Sequence, residues 1–406
     1  MSHEHVPLRF IPFRKKDLTD LCAREGLLAG SDAEAFGSFC QLLQSVYHFE
    51  FHRLLENLKD AYAPLNPNRD TRVINSEPGQ VTTSFIDQLD HLLDRANYEK
   101  LTEAELQQAF SESSLFQLRV IVDFDAFEEV LLFTRGESNK TEMVSSLFGL
   151  RKKQLTFANF DRVVLYIRLK DAYREKYPRL GGTLLKLFQN VPRADIEILF
   201  PTTRVGMRLI DKLMIGVPAV VGGGVVLTTK VGASLLLLGG MIGFWLGVSQ
   251  EPVELNQAAI VAIMAAFGAL GSFIWKQFVN FKNRKLTFMQ SLTESLYFKN
   301  LDNNAGVFYR LIDDAEEEEC KEALLAFYFL TTRPEINNAA ALDAAIEQWF
   351  QETLQCAVDF EIDDALEKLA TLGLLKTTEP GLAVVSLAEA CKILDQRWDD
   401  AFRFAG

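Results

Sequence analysis

Two histidines on a predicted helix are the first residues whose type and spacing suggest chemistry. His48 and His52 lie four positions apart in the run YHFEFHRLLE, so a helix would place both on one face. With Glu50 they could begin a metal site, because imidazole and carboxylate groups bind zinc. However, Glu50 lies about 200° from His48 around the helix, and the sequence shows no third ligand. We therefore interpret both histidines as polar residues at the edge of a helical core.

Two glutamates in an acidic run are the second candidate. Residues 281–330 are predicted to be helical, and Glu319 and Glu322 share one helix face with apolar residues. One interpretation is a solvated acidic helix with an ion pair between Glu317 and Lys321. The other is that Glu319 and Glu322 are buried carboxylates that require an arginine or another cation, because burying an isolated charge is costly. The apolar residues of that face are Phe308, Leu311, Ile312, Ala315, Ala323, Ala326 and Leu330.

Recognisable catalytic and cofactor-binding motifs are absent from the sequence. It contains no GxSxG motif, no phosphate-binding loop and no GxGxxG motif. Its five cysteines are scattered and form no CxxC pair, which favours reduced thiols over a disulfide or zinc framework. We therefore expect no catalytic, metal-binding or cofactor-binding residues, no cofactor and no enzymatic activity.

The negative charge is concentrated in the last quarter of the chain. The protein has 406 residues and a formal net charge of −13, and this length suits two to four domains. Residues 301–406 contain 8 Lys and Arg against 22 Asp and Glu, whereas the first 300 residues contain 34 against 33. An acidic module is repelled by phosphate and attracted to basic groups. We therefore predict protein partners of unknown identity and no nucleic acid.

Three uncharged windows predict a membrane segment over residues 201–285. A helix needs about 20 apolar residues to cross a bilayer, and we expect spans at about 231–250 and 255–276. The window 213–229 is predicted to be re-entrant or interfacial. Basic residues flank the segment on both sides, which favours an even number of crossings with both termini cytoplasmic; three crossings are the alternative. The lipid bilayer is then a predicted partner and the localisation is a multi-pass membrane protein.

Small residues in this segment suggest packing sites and a cavity. Glycines at helical spacing let helices approach closely, either within the predicted hairpin or between copies in a homo-oligomer. A proline and glycine break beside a lysine indicates irregular backbone, which at membrane depth lines a cavity or pore. The predicted packing residues are Gly239, Gly243, Gly247, Gly268 and Gly271, and the predicted cavity residues are Pro218, Gly222, Gly223, Gly224 and Lys230.

The predicted fold class is an α+β membrane protein. Residues 1–117 form an N-terminal helical region, in which TEAEL from Thr102 predicts a capping box at the start of its final helix. Residues 118–200 form an antiparallel β-rich module with about five strands between 118 and 170. The predicted strands include FEEVLLFTRG, which ends at a turn in GES from Gly136, and the separate runs QLTFANF and RVVLYIRLK. After the membrane segment, residues 286–340 form an acidic helical region. Residues 341–406 follow the order helix, helix, strand, strand, helix of a winged-helix-like module. Its second helix carries four acidic residues against Lys368 alone, which argues against DNA binding.

Several motifs resemble a family of uncharacterised integral membrane proteins from bacteria and plants. Its animal member is a mitochondrial transmembrane protein of unknown function. The resemblance implies two membrane spans with large soluble flanks, but no activity, substrate or catalytic residue. This chain lacks a transit peptide, which favours a bacterial inner membrane. The motifs are FIPFRKKDL from Phe10, YHFEFH from Tyr47, FQNVPRADIEILFPTTRVGMRLIDKLMIGVPAVVGG from Phe188 and YFKNLDNNAGVFYRLIDDAEEEECKEALLAFYFL from Tyr297.

Three functional hypotheses follow. The first is a non-enzymatic membrane protein whose cytoplasmic modules bind protein partners. The second is a channel or transport component that uses the glycine-rich break near Lys230. The third is an enzyme at the membrane surface that uses Glu319, Glu322 or the two histidines.

Overall fold

A computed structural model defines the structure of the protein over most of its length. It describes residues 7–28, 30–68, 80–111, 119–146, 151–177, 182–202, 204–206, 242, 244–247, 256–378 and 381–401. The chain divides into two compact units. The first unit contains Met1–Ser113, Asp123–Thr202 and Lys299–Gly406, and the second contains Ser114–Val122 and Thr203–Phe298.

Helices make up much of the described chain. A single-turn 3-10 helix covers Phe124–Ala126 and a longer one covers Arg193–Leu199. The α-helices are α1 (Lys15–Arg24), α2 (Ser31–Tyr62), α3 (Gln80–Arg95), α4 (Glu103–Ser111), α5 (Asp171–Arg174), α6 (Gln257–Lys299), α7 (Ala305–Thr332), α8 (Ala339–Leu354), α9 (Ile362–Leu372) and α10 (Leu387–Asp400).

Strands of the first unit form a five-stranded antiparallel sheet and a separate hairpin. The sheet has the order β1-β3-β4-β5-β7, and the hairpin pairs β8 with β9. A third pair, β2 with β6, lies in the second unit. The strands are β1 (Glu99–Lys100), β2 (Arg119–Ile121), β3 (Phe127–Ser146), β4 (Arg151–Leu169), β5 (Thr183–Pro192), β6 (Arg204–Gly206), β7 (Asn300–Asn303), β8 (Leu375–Thr378) and β9 (Gly381–Val384).

The α+β class and the antiparallel sheet confirm the sequence prediction, but the strands are fewer and longer than expected. Strands β3 and β4 pair from Phe127 opposite Leu169 to Ser146 opposite Arg151, with one register shift between Phe127 and Glu129. The predicted turn at Gly136 lies inside β3, where this glycine has a φ of 72°. Glycine adopts this conformation at little cost, so the strand continues through a residue whose type suggested a turn. The predicted five short strands are therefore wrong.

A short strand interrupts the helix predicted over residues 281–330. Strand β7 pairs with β5 at the edge of the sheet, with Leu187 opposite Asp302. Asn304 then precedes α7 with a φ of 51°, and its Oδ1 accepts a hydrogen bond from the Tyr62 hydroxyl at 3.0 Å. Asparagine tolerates this left-handed conformation better than most residues. The interruption fixes the start of α7 beside the sheet.

The core of the first unit surrounds α7. From Glu318 to Leu330 every residue of this helix is buried, and the helix packs against α1, α2, α3, α8 and α9. Aromatic rings fill the contacts, including Phe39 against Phe327 with centroids 4.3 Å apart. A helix buried all round needs partners for its polar groups. This requirement determines the ionic network described below.

An N-terminal strap, residues 8–15, crosses this core and leads into α1. The backbone N–H of Leu8 donates to Ala357 O at 3.0 Å, and Asp359 N donates to Leu8 O at 2.9 Å. Further along, the Phe13 ring stacks on Phe350 with centroids 6.1 Å apart. The strap thus ties the beginning of the chain to the segment between α8 and α9.

The second unit corrects the membrane prediction. No helix in the part of the chain that the structure describes combines the length and apolar character that a bilayer crossing requires. The predicted span 255–276 falls mainly in α6, which continues through Lys276, Lys282, Arg284 and Lys285 to its end. An uncharged window reports composition alone, whereas a crossing needs one helix that is apolar over about 20 residues. The window 213–229 and most of 231–250 lie outside the described residues.

This correction removes several predictions together. The membrane part of the fold class and the multi-pass inner-membrane localisation are wrong for the described residues. The channel and the membrane-surface enzyme both depended on that localisation and have no support.

Apolar side chains along α6, including Met264, Trp275 and Phe278, are exposed.

Candidate functional site

The acidic run of α7 is enclosed by partners from the strap, from α3 with the segment after it, and from α9. Glu318, Glu319 and Glu322 are 2%, 3% and 2% exposed. Lys321 on the same helix is 3% exposed. Glutamate, alanine and leucine are strong helix formers, so local preference favours the helix while the surrounding elements must supply the counter-charges. We call these four residues and their partners the α7 network.

The strap completes one side of the α7 network. Glu318 Oε2 accepts the backbone N–H of Ile11 at 2.9 Å, and Glu318 Oε1 accepts from Lys321 Nζ at 2.7 Å. The same ammonium donates to Ile11 O at 2.6 Å. Glu318 and Lys321 therefore bind the backbone N–H and the carbonyl oxygen of Ile11, and these two contacts fix the strap on α7. The predicted pair between Glu317 and Lys321 is not formed, because Lys321 turns inward to Glu318.

Glu319 is paired with the last residue of α3. Arg95 Nε donates to Glu319 Oε1 at 2.7 Å, and Arg95 also reaches Glu50 at 2.9 Å. The guanidinium lies over the Phe51 ring, 4.2 Å from its centroid, where cation–π attraction adds to the ion pairs. Two carboxylates and an aromatic face thus offset the burial of this arginine.

Glu322 is paired with a lysine of α9. Lys368 Nζ donates to Glu322 Oε2 and lies 2.6 Å from Asp364 Oδ2 and 3.5 Å from Glu319 Oε2. Asn97 donates to the other oxygen, Glu322 Oε1, at 3.0 Å. Burial raises the pKa of Glu322 to about 7, although Lys368 acts in the opposite direction. Burial alone would lower the pKa of Lys368, but the three carboxylates raise it, so the ammonium stays charged.

The geometry of the α7 network is better suited to holding elements of the fold together than to catalysing a reaction. Each of its carboxylates accepts a hydrogen bond from a named donor. A general acid or base must instead reach the proton of a substrate. The geometry therefore fits a role in positioning α3, α9 and the strap around α7.

The histidine pair lies on the surface beside this network. His48 is exposed, and its Nδ1 lies 3.0 Å from Glu316 Oε2. His52 is also exposed. Within the described ranges, no group of three or more His, Cys, Asp or Glu side chains is arranged to hold a metal ion. The pair is better described as part of the polar surface where α2 contacts α7.

The predicted small-residue sites are only partly described. Gly247 has a φ of 73° and follows a helical turn, with Gly247 N donating to Phe244 O. Gly268 and Gly271 lie in α6, and the position of an added Cβ at either one has no atom within 4 Å. Gly239, Gly243 and the cavity residues Pro218, Gly222, Gly223, Gly224 and Lys230 lie outside the described residues. Packing and cavity roles for these residues stay predictions.

All five cysteines are free thiols, as the scattered spacing predicted. Burial raises the pKa of Cys40 and of Cys320 to about 12. Thiols react as thiolates, and a raised pKa suppresses that form. The buried cysteines therefore behave as small core residues.

A cluster of carboxylates forms an exposed acidic face on the C-terminal part of the first unit. It consists of Asp343 and Glu347 on α8, Asp359 in the following segment and Asp363 in the first turn of α9. Burial and then the charges of Glu347, Asp359 and Asp363 raise the pKa of Asp343. No donor among the described residues reaches its buried Oδ1 atom. Over the ranges that the structure describes, no lysine or arginine forms an ion pair with these four carboxylates.

Sequence reasoning missed the cations of the α7 network and the acidic face. Lys368 was interpreted as the lone cation on the acidic second helix of the winged-helix-like module, whereas it is buried against three carboxylates. Arg95 lies 224 positions from Glu319, so no local pattern links the two residues. For the acidic face, the charge count of residues 301–406 pointed to the right module but not to the residues.

Comparison with known proteins finds a family match over part of the chain. No solved structure matches the chain. Residues 160–306, from β4 to the first turn of α7, match a family described as "Protein of unknown function (DUF3754)". This agrees with the resemblance to an uncharacterised family, although its membrane nature is not supported. The chain therefore contains a DUF3754 domain of unknown function.

Proposed function

We propose that this protein is a non-enzymatic interaction module that binds a basic segment of a protein partner through the acidic face. The observation that supports this proposal most directly is the grouping of Asp343, Glu347, Asp359 and Asp363, in which burial first, and then the charges of the other three carboxylates, raise the pKa of Asp343. Lysine or arginine side chains of a partner would relieve that repulsion. The expectation of no nucleic acid partner follows from the net charge of −13.

The exposure of the four carboxylates of the acidic face favours a ligand from outside the chain. Asp359 and Asp363 are exposed, and Asp343 and Glu347 are half-buried. Glu347 accepts the backbone N–H of Phe360 at 3.1 Å, which holds the segment after α8 in place. By contrast, the carboxylates of the α7 network are committed to internal cations. The acidic face is therefore the group of charges that can gain most from a basic partner.

Charge complementarity of this kind acts mainly on the rate and specificity of association. Opposite charges steer encounter and exclude wrong partners, and their effect falls as salt is added. Half-buried carboxylates are screened less than fully exposed ones. We therefore expect Asp343 to contribute more to binding than its neighbours on the rim.

A labelled oligo-lysine peptide tests this proposal on the full chain. In the variant with Asp343→Asn and Asp359→Asn, we expect the affinity for the peptide to fall by about tenfold at low salt, because two carboxylates of the cluster are neutralised. Both changes keep the shape of the side chain. Fluorescence anisotropy measures the affinity, and circular dichroism verifies that the fold is intact.

The matched control changes the same number of charges elsewhere in the same region. Asp395→Asn with Asp399→Asn neutralises two exposed carboxylates of α10. This control should change the affinity by less than about twofold, since general attraction is nearly unchanged. Equal losses in the two double variants would show that net charge alone attracts the peptide and would refute a specific acidic face.

A further inference from the structure

A cleft in the first unit lies beside the strap and is separate from the acidic face. Its volume is about 870 Å³, which falls within the range of roughly 300–1,000 Å³ for small-molecule sites. The strap, α2, α7 and the strands β3 and β4 all contribute to its walls. The half-buried rings of Phe10 and Phe13 provide an apolar part of the lining.

Most charges that line the cleft are already neutralised. Lys15 pairs with Glu317 at 3.2 Å, and Lys321 pairs with Glu318. Lys16 and Arg162 also line the cleft. Within the described chain, neither side chain has a carboxylate within ion-pairing distance. The Arg162 guanidinium makes one hydrogen bond, to Asp161 O at 3.3 Å. The cleft therefore holds two cations that its own acidic residues do not match.

A cross-strand pair of arginines strengthens this imbalance. Arg135 on β3 lies directly opposite Arg162 on β4, and both side chains line the cleft. Like charges at opposite positions of an antiparallel pair destabilise it. Asp314, which also lines the cleft, pairs with Arg135 at 3.1 Å, but among the described residues no acceptor reaches the buried Arg135 Nε atom. Together the two arginines carry one positive charge more than Asp314 neutralises.

We propose that this cleft binds a small organic anion through its phosphate or carboxylate group, with Arg162 as the main binding residue. The planar guanidinium can donate two parallel hydrogen bonds to either group. Arg135 and Lys16 add positive potential, and the rings of Phe10 and Phe13 contact the apolar part of the ligand. Asp313 also lines the cleft and forms no ion pair with the described residues, so it can accept a hydrogen bond from a hydroxyl or amine of the same ligand.

Calorimetric titration of the full chain with inorganic phosphate, pyrophosphate and citrate tests the cleft. Sodium chloride keeps the ionic strength constant, so that general screening does not imitate binding. We expect saturable one-site binding of at least one of these anions at millimolar concentration or below. Binding of pyrophosphate over citrate would identify phosphate as the recognised group, and the reverse preference would identify carboxylate.

Two variants separate the cleft from general attraction. Arg162→Gln should weaken binding by at least about tenfold, since a charge-assisted bidentate contact is lost. Arg53→Gln neutralises an exposed arginine of α2 that pairs with no carboxylate in the described part of the chain, and it should leave the affinity unchanged. Equal affinity in wild type and Arg162→Gln, or no saturable binding of any of the three anions, would overturn the proposal.

A second position keeps the test decisive if Arg162→Gln does not fold. Lys16 is exposed, so Lys16→Gln preserves the core and should weaken anion binding about threefold through the lost potential. The bound anion should also raise the unfolding temperature of wild type. An unchanged affinity in the Lys16→Gln variant, together with no thermal shift, would count against the cleft.

Discussion

At the scale of single residues, the buried pair of Glu322 and Lys368 shows how the fold compensates a buried carboxylate with a nearby ammonium. Glu322 is 2% exposed, and its pKa is raised to about 7 by burial in spite of the neighbouring ammonium. The sequence indicated that this carboxylate shares a face with apolar residues. It could not supply Lys368, because their contact depends on how α9 packs on α7.

The raised pKa of Glu322 predicts a specific pH dependence of stability. Its ordinary value is 4.5 and its value in the folded chain is about 7, so the folded state holds the proton more tightly than the unfolded state. The stability that the folded chain gains from the protonated Glu322 is therefore fully present below about pH 4.5 and is lost as the pH rises through about 7. We expect the free energy of unfolding of wild type, relative to Glu322→Gln, to fall over that range by at most about 3 kcal/mol.

Urea denaturation of the two proteins across that pH range measures this difference. Glu352→Gln, at an exposed position of α8, is the control and should give a difference that does not change with pH in the same way. A flat difference between wild type and Glu322→Gln would show that burial does not hold a proton on Glu322.

At the scale of elements, the strap depends on a charge that belongs to α7. Glu318 accepts the Ile11 amide, and Lys321 donates to the Ile11 carbonyl. The sequence motif FIPFRKKDL gives no sign of this arrangement, since its apolar residues are compatible with a loop, a strand or a helix. The partner lies 307 positions away, beyond the reach of any local pattern.

Replacing Glu318 should therefore release the strap. In Glu318→Ala, Lys321 keeps the Ile11 carbonyl but loses its counter-charge, which for a buried ion costs about 3–5 kcal/mol. We expect a loss of stability of that order, together with faster hydrogen exchange at the Leu8 and Ile11 amides. Amide exchange by NMR or mass spectrometry measures the second effect.

The comparison for this variant is Glu317→Gln, which removes a charge one position away. Glu317 is 31% exposed and pairs with Lys15, so its loss should cost no more than about 1 kcal/mol. If the two variants were equally stable, or if Glu318→Ala left amide exchange in the strap unchanged, the ionic attachment of the strap would be contradicted.

Local patterns did predict several elements correctly. Thr102 and Glu105 form the predicted capping box at the start of α4, with Glu105 N donating to Thr102 Oγ1 at 3.3 Å and Thr102 N donating to Glu105 Oε2 at 2.8 Å. The apolar face predicted for α7 is buried from Val307 onward. These features depend on residues three or four apart, and such spacings can be read directly from a sequence.

Patterns that require tertiary information were misjudged. The predicted break between QLTFANF and RVVLYIRLK lies inside β4, because pairing with β3 on one side and β5 on the other sustains a strand of 19 residues. In the same way, an uncharged window predicted membrane crossings that no helix of the described residues supports. Composition over a window does not determine which neighbours a segment meets.

At the scale of the whole molecule, the uneven charge is the property that the sequence predicted most simply and that bears most on function. Among the 22 acidic residues after position 300, two groups differ in their surroundings. Glu318, Glu319 and Glu322 of α7 meet internal cations and stabilise the arrangement of helices, whereas the four carboxylates of the acidic face remain available to a partner. The proposed function depends on this division.

The salt dependence of peptide binding tests that division most directly. Binding of a labelled oligo-lysine peptide is measured by anisotropy from low to physiological ionic strength, for wild type and for the variant with Asp343→Asn and Asp359→Asn. We predict that wild-type affinity falls steeply with salt and that the double variant shows a shallower slope, because two attractive charges are missing. Identical slopes for the two proteins, or a wild-type affinity that does not respond to salt, would contradict the acidic face as the binding surface.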